Sequence, residues 1–220
     1  INAAFNNVVW CNPFTIGDST GPTGFLNDGF TGMPSGVLTV EMWVQIKTPG
    51  NFYIPDGCAL GSYCTATENN ALTFIMNQAN GLRYFINGHA RLWGNPQPNL
   101  FDGRIHHVVF TLDWDNQEEV TTGLTTSTID VFIDGKTLFK KATDRTTGDS
   151  YLPQQGNLAV GIEQDNPVWT AAGIAPKLGV GIDGQFEGNI QEYAIYPHVL
   201  PPERISKHYL AGAKGFDIPL

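Results

Sequence analysis

The chain has few basic residues and no long apolar segment. Lysine and arginine together number 12 against 21 aspartates and glutamates, so the net charge is −9. A surface of that sign disfavours binding to nucleic-acid phosphates or anionic membranes, and it suits cations and neutral sugars. No apolar run approaches the roughly 20 residues that a membrane-spanning helix needs. We therefore expect neither nucleic-acid binding nor membrane insertion.

Motifs of the common enzyme classes are missing as well. The sequence has no Gly-x-Ser-x-Gly elbow, phosphate loop or zinc-ligand spacing. His106 and His107 are adjacent, so on a strand they point to opposite faces and cannot hold one zinc ion; we expect His107 to be an ordinary histidine on a sheet face. Asp130 and Asp134 resemble paired glycosidase carboxylates, but a tight Asp-Gly turn explains Asp134. The sequence predicts a protein that is not an enzyme.

Cysteine is scarce, since only Cys11, Cys58 and Cys64 are present. If residues 58–64 form a strand, its ends lie roughly 20 Å apart. Bridged Cα atoms lie within about 7 Å, so a Cys58–Cys64 bridge requires Gly61 to fold the segment back. Pairing of Cys11 with one of the others and three reduced buried thiols both remain open.

Short alternating segments and turn residues are abundant. The chain is 41% hydrophobic and 15% charged, with 25 glycines and 14 prolines, which is typical of an ordered globular protein with many turns. The clearest segment is 38–46, where every second residue is apolar, and it predicts a half-buried strand. Further strands are predicted around Val8–Trp10 and at 25–30, 59–63, 71–77, 82–86, 90–93, 104–114, 129–133, 136–141, 157–162 and 186–196.

Turn signals and one late helix complete the pattern. The predicted helix begins at Pro201 and Pro202, has Ile205 and Tyr209 four residues apart on one face, and ends near Gly212. Many short strands with one late helix predict a sandwich of two antiparallel sheets. We expect a single domain over residues 1–220. The predicted hairpin turns are Asn80-Gly81, Asn87-Gly88 and Asp134-Gly135.

The segment 157–167, NLAVGIEQDNP, joins an alternating strand to a cluster of oxygen-bearing side chains. The two-residue period of the strand places Glu163 and Asp165 away from the core face. Carboxylate and amide oxygens are the ligands that calcium uses in proteins. We name this set the acidic hook, and its members are Glu163, Gln164, Asp165 and Asn166.

Four segments in order resemble the laminin-G-like jelly rolls of the concanavalin A-like lectin and glucanase superfamily. They are VEMWVQI, GRIHHVVFTLDW, IDVFIDGKTLF and the closing FEGNIQEYAIYPHVLPPERISKHYLAG. The resemblance implies an all-β, two-sheet antiparallel jelly roll with one short C-terminal helix.

Within that superfamily the chain most resembles pentraxins, whose calcium loop carries Glu-Gln-Asp after a Leu-rich strand that ends in Gly. The acidic hook matches that loop. The family's other ligand pair, Asp-Asn, follows a Ser-Tyr strand; here Ser62-Tyr63 is followed by Glu68, Asn69 and Asn70, so the acid is Glu. The resemblance implies that two loops meet at one end of the sandwich and hold one calcium ion. The calcium ligands it implies are Glu163, Gln164, Asp165, Glu68 and Asn69.

The pentraxin signature around His107 is only half kept. His107 and Thr111 fit it, but Val109 stands where the family has Cys and Leu112 where it has Trp. The inter-sheet disulfide of the family therefore cannot form at its usual place, and pentameric assembly is not implied. Residues 168–184 resemble an insertion in which the ligands of a second pentraxin calcium have no clear place.

Trp169, four residues after Asp165, is the predicted ligand-stacking residue, because an aromatic ring beside a calcium commonly holds a sugar. Asn166 and Asn70 complete the predicted ligand contacts. Our hypothesis is a calcium-dependent recognition module, secreted or on the cell surface, that binds a glycan or another polar ligand. The alternatives are a structural or adhesion domain whose calcium only stabilises loops, and a polysaccharide-degrading enzyme. The start at Ile1, without a leader, predicts a processed piece.

Overall fold

A computed structural model of the chain describes residues 14–16, 25–30, 34, 36–46, 58–65, 72–77, 81–86, 89–92, 100–121, 124–146, 156–160 and 188–218. Twelve strands and one helix, α1 (Pro202–Gly215), lie in these ranges. The strands are β1 (Phe14–Ile16), β2 (Phe25–Phe30), β3 (Val37–Ile46), β4 (Cys58–Thr65), β5 (Leu72–Asn77), β6 (Gly81–Ile86), β7 (His89–Leu92), β8 (Ile105–Thr121), β9 (Leu124–Ile133), β10 (Lys136–Thr146), β11 (Gly156–Val160) and β12 (Gly188–Tyr196).

The strands form two six-stranded sheets. The first has the order β1-β12-β3-β8-β9-β10, and the second has the order β2-β11-β4-β5-β6-β7. Every pairing is antiparallel. The predicted sandwich of two antiparallel sheets with one C-terminal helix is confirmed for the described part of the chain.

The hairpin turns follow the Gly-containing dipeptides. Ile86 pairs with His89, so Asn87-Gly88 is a two-residue connection. Ile133 pairs with Lys136, and the two residues between them have φ angles of 52° and 71°. Two successive positive φ angles define the turn type that matches the twist of antiparallel strands. The predicted Asp134-Gly135 turn is confirmed. Asn87 and Gly88 themselves lie outside the described residues. Gly81 belongs to β6 and pairs with Asn77, so the predicted Asn80-Gly81 hairpin turn is wrong.

The β8–β9 hairpin is longer than predicted. β8 continues past the predicted end at residue 114 to Thr121, and β9 begins at Leu124. The extension carries polar residues, so it lacks the apolar alternation on which the prediction rested. The predicted strand around Val8–Trp10 lies outside the described residues.

The core lies between the two sheets. On β3 the alternate residues from Leu38 to Ile46 are at most 1% exposed, and on β8 the same period buries Phe110. The ring of Phe110 stacks on Phe74 of the second sheet with centroids 4.1 Å apart. Alternation therefore predicted the core face of the first sheet correctly.

The prediction that β3 is half-buried is wrong, because its outer face is buried too. Thr39, Glu41 and Trp43 are 0%, 6% and 3% exposed. The segment from His198 to Phe216 covers that face: the Thr39 hydroxyl donates to the carbonyl of His198 at 2.8 Å, and Phe216 packs on the Trp43 indole. β3 is therefore a central strand between two layers.

The helix begins as predicted, with Pro201 at the N-cap and Pro202 in the first turn. It does not end at Gly212 but continues to Gly215. Gly212 lies directly on the indole of Trp43, and a Cβ there would overlap the ring. The glycine serves close packing between helix and sheet rather than helix termination.

The strand β4 runs through both Cys58 and Cys64 with Gly61 inside it. The chain therefore does not fold back at Gly61, and six residues of strand hold the two Cα atoms roughly 20 Å apart. A bridge between these two cysteines is excluded. Cys11 lies outside the described residues.

Candidate functional site

All the sequence-predicted site residues lie outside the described residues, but the strands that lead to them are described. β11, which precedes the acidic hook, pairs with β4, which precedes residues 68–70. Val160 lies opposite Gly61, so the chain leaves β11 and β4 at opposite ends of the pair, about 13 Å apart along the strands. The two segments can therefore share one calcium ion only if both extend back over the sheet from opposite ends of this strand pair. The ligand set stays a prediction.

The most buried polar cluster among the described residues centres on Glu41 of β3. His107 Nε2 lies 2.7 Å from its Oε1. His208 of α1 approaches from the other side, with Nδ1 3.0 Å from both carboxylate oxygens. The Tyr196 hydroxyl also donates to Glu41. One carboxylate thus joins β3, β8, β12 and α1.

The electrostatics of this cluster keep Glu41 ionised. Burial alone would raise the pKa of Glu41, but the hydrogen bonds and charges of His107 and His208 lower it to about 2. Burial and the nearby Glu41 carboxylate raise the pKa of Tyr196. The cluster therefore fixes α1 on the sheet.

A second cluster of carboxylates and a histidine lies at the start of β8. His106 Nδ1 is 2.9 Å from Asp134 and its Nε2 is 3.0 Å from Asp102. Burial would lower the pKa of His106, but the two aspartates raise it. Asp134 Oδ1 also accepts the backbone N–H of His107 at 3.0 Å. His106 and His107 are thus on opposite faces with different partners, as predicted.

A groove of about 550 Å³ lies between α1 and β12. Glu41 and Trp43 of β3 form its base, and Arg204 and His208 line the helix side. The volume is within the range of small-molecule sites. The β12 side consists of Gln191, Glu192, Ala194 and Tyr196.

A β-bulge shapes the β12 side of the groove. Gln191 pairs with Trp43 and Ala194 with Glu41, so β12 carries one extra residue at this point. Glu192 takes a φ of 53°, which is uncommon for a residue with a side chain. Tyr193 turns inward instead, is 2% exposed and reaches Gly61 of the second sheet. The bulge therefore places both Gln191 and Glu192 beside the groove.

Sequence reasoning missed Glu41 and His208, and it assigned His107 correctly to a sheet face but without its partners. The available signal was a single acid in the apolar segment VEMWVQI, since a carboxylate in a buried strand requires a partner. No group of three or more His, Cys, Asp or Glu residues within the described ranges has the arrangement of a metal site.

Comparisons with known proteins identify the fold. No protein-family model matches the chain, and no curated protein matches its sequence. Among solved structures, a heptameric SAP-like pentraxin from Limulus polyphemus is similar, with a TM-score of 0.56 and 16% identity over 93% of this chain and 82% of the pentraxin. The chain has a pentraxin-like jelly-roll fold.

Toxin binding domains share this fold. The binding domain of botulinum neurotoxin serotype G has a TM-score of 0.55 and 11% identity over 94% of this chain. The binding domain of Paraclostridial Mosquitocidal Protein 1 has a TM-score of 0.55 and 10% identity, also over 94%. This chain spans only 45% and 46% of those domains. At these identities the likeness concerns the fold.

The described part of the chain contains one helix, α1, of 14 residues. This helix is neither long enough nor apolar enough to cross a bilayer.

Proposed function

We propose that this chain is a calcium-dependent recognition module of an extracellular or cell-surface protein and that it binds a carbohydrate. The observation that carries the proposal is the fold, which is shared with a pentraxin and with toxin domains that are named for binding. The acidic surface, with a net charge of −9, favours a cation and a neutral ligand over an anionic one.

The proposed calcium site joins the acidic hook to Glu68 and Asn69. Its ligand atoms are carboxylate and amide oxygens, which suit a hard cation that takes six to eight oxygens. The two segments continue neighbouring strands of the second sheet but leave them at opposite ends, so the proposal requires both segments to extend back over the sheet. Asn166, Asn70 and Trp169 are the proposed contacts to the ligand.

The described polar clusters favour binding over catalysis. Glu41 is bonded to His107, His208 and Tyr196, so its carboxylate is engaged in holding the fold together. A glycosidase needs two carboxyl groups that face the scissile bond.

We expect a glycan array to show binding that requires calcium. Replacement of Glu163 and Asp165 together by alanine removes two charged ligands and should abolish the calcium-dependent signal, as should EGTA. The matched control is Glu203→Ala, which removes an exposed carboxylate from the first turn of α1. The control should bind like the unaltered chain.

Two results separate the proposal from its alternatives. Calcium-dependent stability without any glycan signal would identify a structural or adhesion domain. Release of reducing ends from algal or plant polysaccharides would identify an enzyme and contradict the proposal.

A further inference from the structure

The groove between α1 and β12 is built on a different sheet from the strands that lead to the proposed calcium ligands. Its base and its β12 side belong to the first sheet. The strands that lead to the acidic hook and to Glu68 belong to the second sheet. A ligand in this groove therefore has a recognition chemistry of its own, made only from described residues.

The groove contains unpaired groups of both hydrogen-bonding types. Arg204 donates its Nε–H to His208 Nε2 at 2.8 Å, while its terminal amino groups make no ion pair within the described ranges. Glu192 and Gln191 make no side-chain hydrogen bond to any residue that the structure describes. Arginine only donates, a carboxylate only accepts, and the glutamine amide does both.

Apart from Glu41 and His208, which bond to each other, the remaining lining is made of aromatic and small residues. Tyr196 and Phe216 are half-buried and line the groove, and Ala211, Gly212 and Gly215 leave the helix side without bulk. A sugar ring has hydroxyl groups that both donate and accept, together with an apolar face that packs against aromatic rings.

The groove contains side chains of both charges, so a ligand with a single charge meets repulsion from one of them. Glu192 and the ionised Glu41 repel an anion, and Arg204 repels a cation. The hydroxyl groups of a neutral ligand can accept from Arg204 and donate to Glu192 without adding a further charge to the groove.

The bulge supports a preformed site. Glu192 is held at a positive φ because Tyr193, its neighbour, is anchored in the core against Gly61. The backbone on the β12 side of the groove therefore needs little reorganisation when a ligand binds. We propose that the groove between α1 and the β12 bulge is a calcium-independent binding site for a neutral oligosaccharide.

The test uses the whole chain in EGTA and neutral tetrasaccharides of glucose, xylose, mannose and galactose, measured by saturation-transfer NMR and calorimetry. We expect at least one of them to bind at millimolar concentration. The blocking variant is Gly215→Trp, because a Cβ at Gly215 meets no atom within 4 Å and the new side chain enters open space beside the groove. Its matched control is Lys214→Trp, which adds the same side chain at an exposed position outside the groove lining.

Gly215→Trp should abolish binding, Lys214→Trp should retain it, and Glu192→Gln should weaken it about tenfold through loss of one charged hydrogen bond. Equal melting temperatures of the two tryptophan variants show that the fold is kept. The proposal is overturned if no tetrasaccharide binds the unaltered chain in EGTA, or if both tryptophan variants bind alike. Binding of trilysine or triglutamate in place of the sugars, blocked by Gly215→Trp, also overturns it, since the site then takes a charged peptide.

Discussion

Glu41→Ala is expected to destabilise the chain by about 3 to 4 kcal/mol, because it removes the acceptor shared by several buried groups. His107 Nε2 and His208 Nδ1 both lie within 3.0 Å of the carboxylate, and the Tyr196 hydroxyl donates to it. His107 is completely buried, so its ring nitrogen cannot turn to water. Urea denaturation followed by circular dichroism measures the loss.

Two further variants test whether the loss of stability comes from the buried carboxylate of Glu41. Glu41→Gln keeps the shape and one acceptor oxygen, but its amide group faces the Nδ1 donor of His208, so an intermediate loss is expected. Glu203→Ala removes an exposed carboxylate and should leave stability nearly unchanged. A loss below about 0.5 kcal/mol for Glu41→Ala would contradict the central place of this carboxylate in the fold.

The lowered pKa of Glu41 predicts that the stability of the chain depends on pH. The pKa of Glu41 falls from an ordinary 4.5 to about 2 on folding, so its contribution is complete above 4.5 and is lost as the pH falls toward 2. The stability difference between the unaltered chain and Glu41→Gln should shrink over that interval. A constant difference would mean that folding does not lower the pKa of Glu41.

Gly212→Ala is expected to destabilise the chain by about 1 to 2 kcal/mol, whereas Gly215→Ala in the same helix should stabilise it by about 0.5 kcal/mol. A Cβ at Gly212 overlaps the Trp43 indole, but a Cβ at Gly215 meets open space. Both changes improve helix propensity, so the difference between them isolates the contact with Trp43.

Thermal unfolding of the two alanine variants measures this difference directly. Equal shifts in the same direction would show that α1 does not pack on Trp43 through Gly212. Near-ultraviolet circular dichroism of the tryptophans provides a second signal, because a displaced α1 changes the surroundings of the Trp43 ring.

Most of the fold could be predicted from the sequence, because local patterns determine it. Alternation along β3 identified the core face from Leu38 to Ile46, and the Asp134-Gly135 dipeptide located a hairpin turn. The paired prolines located the start of α1. Each signal comes from neighbours within a few residues, so it needs no knowledge of what packs above the sheet.

The parts that could not be predicted depend on distant contacts. The outer face of β3 is buried because α1 returns to it from more than 150 residues away, as the 167-residue separation of Glu41 and His208 shows. Gly212 has the local pattern of a helix stop, and only Trp43 explains its position within the helix. The bulge at Glu192 follows from the inward turn of Tyr193, which an alternating pattern does not reveal.

The two candidate sites differ in the same respect, because one consists of consecutive residues and the other is assembled from distant segments. The acidic hook was predicted from consecutive residues and a family resemblance. Its strand β11 pairs with β4, but the chain leaves the two strands at opposite ends. The groove combines three segments, β3, β12 and α1, whose proximity exists only in the folded chain. Sequence patterns therefore predicted the contiguous candidate site and could not predict the assembled one.

The most direct test of calcium recognition is a calorimetric calcium titration of the metal-free chain, repeated with Glu163→Gln plus Asp165→Asn. We predict saturable binding of one ion to the unaltered chain, accompanied by a higher melting temperature, and the loss of both effects in the double variant. Absence of binding heat together with an unchanged melting temperature in calcium and in EGTA would contradict the account.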